Sequence, residues 1–228
     1  MAKSQIIKDL ANSKVDLATA LKRTKLLLSE IGEKPLLDWV DHELVGYNSV
    51  DEIPEYRVHQ GILKGTFVIP TGLGGYEQHT NVNISLNQMP KDDRDRIINM
   101  YLYDGVSALK SCYENSDTGS LFIEKPILAE YYPFIQKHSN YSNMRIINAR
   151  VLIDSSVVFN VLSIIENKLL DTLLLLEKEF GCLDELDIDT SSVNSYDKER
   201  LAEQINLIIF DKSVHIGNDN KIKNTNIN

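Results

Sequence analysis

Leu36-Leu37-Asp38-Trp39-Val40-Asp41-His42-Glu43-Leu44-Val45-Gly46-Tyr47 marks the point where the chain stops reading as helix, and it decides the fold. Pro35 suits the first position of a helix, where its missing N–H costs nothing. Leu36, Leu37, Val40 and Leu44 then fall on one inward stripe, and Gly46 suits the stop, so a helix is expected over 35–45. Upstream, residues 4–31 place Ile7, Leu10, Leu17, Leu21, Leu28 and Ile31 at helical spacing with Lys and Asp between them. One long amphipathic helix is expected there, with Gly32 as its stop, and a short turn to the next helix makes the two antiparallel.

Downstream the period changes. Thr66-Phe67-Val68-Ile69 is β-rich, and Val82, Ile84 and Leu86 alternate with Asn81, Asn83, Ser85 and Asn87. That period of two belongs to half-buried strands, and Pro70-Thr71-Gly72-Leu73-Gly74-Gly75 reads as the hairpin loop between them. Pro90 and the charged run 91–96 open a further helix carrying Ile97, Ile98, Met100, Tyr101 and Leu102, broken at Gly105 and resumed to about Tyr113. Residues 145–153 read as a strand. Ser155 or Ser156 caps a helix that runs to Phe180 with Gly181 as its stop, on a stripe of Val158, Val161, Leu162, Ile165, Leu169, Leu173 and Leu176. The fold class is therefore α+β. N-terminal helices and a late long helix are expected to form a bundle beside a small antiparallel sheet, in one domain over 1–182.

The stretch 183–202 is acidic and rich in Ser and Asn, as a linker is. Ile205-Asn206-Leu207-Ile208-Ile209-Phe210 is a strand candidate, and Ile216, Ile222 and Ile227 follow among Asn-rich steps. That spacing suits a rung or two of a β-solenoid, which buries its apolar face only by stacking on other copies. Residues 203–228 are thus expected to be a β tail that joins copies into a homo-oligomer, the alternative being a frayed polar terminus.

Composition narrows the function. Of 228 residues, 43% are hydrophobic and 25% charged, which excludes wholesale disorder. Acidic residues outnumber basic ones by 33 to 24, and a net charge of −9 disfavours nucleic acid and anionic membranes. The apolar stretch 157–176 is interrupted by Asn160, Ser163, Glu166, Asn167, Lys168, Asp171 and Thr172, so no membrane span is expected. Two cysteines, Cys112 and Cys182, lie far apart without a CxxC pairing, so no zinc ribbon is expected and a reducing cytoplasm is the simplest home. The opening Met1-Ala2-Lys3-Ser4-Gln5 leads into an amphipathic pattern, not an apolar signal core.

Few constellations carry chemistry. Asp41-His42-Glu43 fails as a zinc-protease motif because Gly46 stands where the second histidine is needed, so His42 and Glu43 read as surface or capping residues. The Gly72–Gly75 loop joins strand to strand and lacks the lysine of a phosphate cradle. Asp51-Glu52-Ile53-Pro54-Glu55-Tyr56-Arg57-Val58-His59 gathers acids, an Arg and a His, and His79 lies on the neighbouring β-run. On strand geometry Arg57 and His59 share a face, so Glu43, Arg57, His59 and His79 are the candidate catalytic residues for metal-assisted or acid–base work. Neither a resident metal nor a cofactor is expected from this pattern.

The order W-x-x-x-E-L-x-G-Y over Trp39, Glu43, Gly46 and Tyr47, then P-x-Y-R over Pro54, Tyr56 and Arg57, recurs with a late helix ending Leu174-Leu175-Leu176-Glu177. This pattern resembles the AbiTii domain, a bacterial family associated with abortive infection and antiphage conflict, over roughly residues 4–181. The resemblance implies a defence context and no particular reaction. The motif residues also have plain structural work: Trp39 fills the bundle, Gly46 ends a helix at positive φ, and Arg57 pairs with Glu43 or Glu55. The expectation is an antiphage defence component that acts without catalysis, as an oligomerising or partner-binding module with a defence-system partner protein. The alternative is a toxin with metal-dependent nuclease activity centred on Arg57 and His59.

Overall fold

The computed structural model describes residues 3–32, 34–72, 74–114, 122–141, 143–185 and 195–210. Its described elements run α1 (Gln5–Ala11), α2 (Leu17–Ile31), α3 (Lys34–Val45), β1 (Val58–Gln60), β2 (Ile62–Thr71), β3 (Gly75–Asn83), α4 (Lys91–Ile98), β4 (Asn99–Tyr101), α5 (Val106–Glu114), β5 (Phe122–Pro126), α6 (Tyr132–Lys137), β6 (Arg145–Asp154), α7 (Ser156–Phe180) and α8 (Ser195–Phe210). The fold is mixed α+β, as expected. Two units divide it, one from residues up to Val40 and from Lys168 onward, the other from Asp41–Asn167. The helical unit thus joins segments far apart in sequence, while every described strand belongs to the other.

In the helical unit the apolar stripes are buried. Leu21, Leu28, Leu36, Leu169, Leu173, Leu176 and Ile205 have no exposed surface. The long helix expected over 4–31 is instead α1 and α2, because Asn12, Ser13 and Asp16 offer the backbone local alternatives to continuing. Ser13 takes φ 51°, and the Asp16 carboxylate caps α2 by accepting the Thr19 N–H at 3.3 Å. Gly32 ends α2 at φ 80°, as its position implied. The start of α1 is capped from far along the chain. Glu177 Oε1 accepts the Ser4 N–H at 2.5 Å and the Ser4 hydroxyl at 2.7 Å, while Asp184 Oδ1 accepts the Gln5 N–H at 2.6 Å. Two carboxylates therefore neutralise the exposed N–H end of the helix.

The strand expected at 205–210 is wrong. Leu201, Ala202, Ile205 and Ile209 recur at helical spacing and are at most 4% exposed, so the run is the buried stripe of α8. Lys168 Nζ donates to the Ile208 carbonyl at 2.8 Å, near the end of that helix. Ile216, Ile222 and Ile227 lie outside the described residues.

In the strand-bearing unit a four-stranded antiparallel sheet has the order β3-β2-β6-β5, with Leu63 opposite Val151 and Ile123 opposite Ile153 on its buried face. The strand over 145–153 is present as β6, and β2 and β3 form a hairpin, but its second strand is Gly75–Asn83 and not the alternating run 81–87: Ile84, Ser85, Leu86 and Asn87 lie beyond it. A separate pair joins β1 to β4, with Val58 opposite Tyr101 and His59 opposite Met100. Here the helix expected through Leu102 ends at Ile98, because Met100 and Tyr101 take ladder positions that β1 supplies. Nothing in the local sequence announces a tertiary partner 40 residues away.

Candidate functional site

Glu43 lies one and two helical turns beyond Trp39 and Leu36 in α3, on the same inward stripe, so its carboxylate points to the interior. The expectation that it sits at the surface is overturned: it has no exposed surface. The helix then stops at Gly46 with φ 111°, where a Cβ would lie 2.7 Å from the Tyr103 carbonyl. Directly after it, the Tyr47 N–H donates to that same carbonyl at 2.8 Å, which turns the chain sharply.

That turn, and the 3-10 turn Glu55–Arg57 that Pro54 leads into, bring four donors onto one carboxylate. The hydroxyls of Tyr47 and Tyr56 each donate to Glu43 Oε1 at 2.6 Å. Arg57 closes on both oxygens, Nη2 to Oε2 at 2.5 Å and Nε to Oε1 at 3.3 Å. Its remaining terminal nitrogen, Nη1, donates to the carbonyls of Leu102 at 2.8 Å and Asp104 at 2.7 Å. The guanidinium carbon also stands 5.0 Å from the centre of the Tyr47 ring, within reach of its π face. Neither side chain of the ion pair meets solvent.

Removing two charges from water is costly, and the cost is offset only where every lone pair and proton finds a partner. This cluster meets that condition almost completely. Burial, and next the Glu43 charge, push the Tyr47 hydroxyl far above its ordinary range, so it remains a donor. The arrangement therefore holds protons in place. Its chemistry is to fasten the end of α3, the 3-10 turn and the segment between β4 and α5 to one another.

The other candidates are placed elsewhere. Arg57 sits in the 3-10 turn, not in a strand, so it does not share a strand face with His59. His59, half-buried on β1, has Nε2 3.1 Å from the Tyr56 carbonyl, and burial lowers its pKa toward the neutral ring. His79 lies on β3 in the other sheet, stacked 5.0 Å from Phe67 and facing Glu77 at 3.4 Å. Glu43 and Arg57 meet, and His79 is in a different sheet from β1. Trp39, 2% exposed, falls in the helical unit. Among the described residues no group of three or more His, Cys, Asp or Glu is placed to hold a metal. Sequence reasoning missed the carbonyls of Leu102 and Asp104. Their only signal was Asp104-Gly105, a turn pair that was read as a helix break.

No described helix is long and apolar enough to cross a membrane. No curated protein and no solved structure matches the chain. A family model described as AbiTii matches residues 4–200, a span that holds the whole buried cluster. With the match covering most of its length, the chain belongs to the AbiTii family, which points to abortive-infection defence against phage.

Proposed function

We propose that this chain serves antiphage defence as a module that associates with further copies of itself or with a defence partner. The observation that supports this reading is the outer face of α8. Beside its buried stripe, Leu207 is 54% exposed and Phe210 41% exposed. With Pro35, Glu203 and Asn206 they line a mostly apolar groove of about 620 Å³. A helix with a second apolar stripe open to water leaves surface that gains by being covered. In sequence, Phe210 is followed by residues 211–228 with their three spaced isoleucines. Glu43, Tyr47, Tyr56 and Arg57 of the family motif, in contrast, are bonded to one another, with Glu43 and Arg57 shut off from solvent.

Light scattering tests the reading on the full chain, on a Leu207→Lys/Phe210→Lys variant, and on a chain stopped after Phe210. The stop is placed there because Ile205 and Ile209 are core residues. The expected result is an assembly for the full chain that the double substitution or the truncation dissociates, with helix content retained. A full chain that is monomeric at every concentration, and captures no defence protein, removes the reading.

A further inference from the structure

The strand-bearing unit holds a small recess unconnected with the buried ion pair. α4 contributes Arg96 and Ile97, the end of β5 contributes Lys125 and Pro126, and the segment after it contributes Leu128 and Tyr131. The recess measures about 230 Å³. Its floor is apolar, with Ile97 only 5% exposed, while Leu128 at 63% and Tyr131 at 46% stand open at its side.

Two of its lining residues are cations, in a chain whose net charge is −9. Arg96 is 81% exposed and only 3.9 Å from Asp93, an exposed pair of little strength, so the guanidinium is available. The Lys125 ammonium donates to the Asn99 carbonyl at 2.5 Å, a neutral partner that leaves its charge uncompensated. Burial draws its pKa below the ordinary lysine value, and among the described residues no carboxylate pairs with it. An ammonium in that condition gains from an anion. The volume lies below the range typical of drug-sized ligand pockets, so the ligand body is about one ring.

We propose that Lys125 and Arg96, over the apolar walls of Ile97, Pro126, Leu128 and Tyr131, form a binding site for a small anion carried on a single aromatic ring. Two sources supply that chemistry, an aryl phosphate and an aromatic carboxylate. Titrating the ¹⁵N-labelled full chain by NMR with phenyl phosphate, benzoate, and the neutral phenol and benzyl alcohol distinguishes them. The expected result is saturable shifts of the amides of Ile97, Ile127, Leu128 and Tyr131 with at least one anion, and weak or no shifts with the neutral compounds. Phenyl phosphate alone identifies a phosphate site, and benzoate alone a carboxylate site. Lys125→Met should weaken binding about tenfold and Arg96→Gln about threefold, in line with a half-buried and an exposed charge contact. Because Arg96 is exposed, its variant tests the site even where Lys125→Met disturbs the fold. Neither anion binding, neutral analogues binding as well as anions, or unchanged affinity in Arg96→Gln overturns the proposal.

Discussion

Glu43 carries a full negative charge to a place where none of its side chain meets water, and the arginine that answers it is equally enclosed. Such a pair adds little over a well-packed apolar core, but breaking it strands the surviving charge. Arg57→Met should therefore lower unfolding free energy by about 3–5 kcal/mol, whereas Tyr47→Phe, which removes one of four donors, should cost about 1–3 kcal/mol. Urea denaturation of both variants checks the order. Equal, small losses would mean that the carboxylate is hydrated in solution. At this scale the sequence was half legible. The candidate partners of Arg57 were narrowed to Glu43 and Glu55, and the family spacing singled out the residues of the cluster. The depth of Glu43 was not visible, because a charged residue on an inward stripe reads as an exception until its partners are known. The carbonyls of Leu102 and Asp104 belong to the backbone, and no side-chain pattern encodes them.

Helices and strands were legible where they end in glycine. Gly32, Gly46 and Gly181 all take positive φ at the places where α2, α3 and α7 stop. They were misread where an apolar run had two outlets. Met100 and Tyr101 continue α4 by local propensity, yet pair with β1, and Ile205 to Phe210 is an apolar run that reads as a strand, yet packs as a helix. Burial settles such cases, and burial is set by the rest of the fold. The cap on α1 yields a prediction of its own. The Lys3 ammonium at 2.6 Å, with the N–H and hydroxyl of Ser4, holds the Glu177 carboxyl down to about 2 from its ordinary 4.5. A depressed carboxyl contributes stability that is complete above about pH 4.5 and is lost as pH falls through 4.5 toward 2. Thermal melts between pH 2 and 6 should show this fall, and Glu177→Gln should flatten it within that window. An unchanged slope in the variant would assign the acid loss to other carboxylates.

For the molecule as a whole, the two units differ in how the chain must travel to complete them. The strand-bearing unit is continuous over Asp41–Asn167, while the helical unit needs residues from both ends. Closing the longer loop carries the larger entropic cost, and contacts distant in sequence form late. Pulsed hydrogen exchange during refolding should therefore protect the amides of β2 and β6 before those of α1 and α2. Simultaneous protection would show that the units fold as one. The same arrangement has a consequence on the ribosome. After Ile31 has been made, Ser195 follows only some 160 residues later, about 8–30 s at ordinary elongation rates. For that interval the nascent helical unit has α1, α2 and the start of α3 but lacks α8. An infected cell whose translation fails midway would be left with chains that cannot finish their helical unit, however complete their strands.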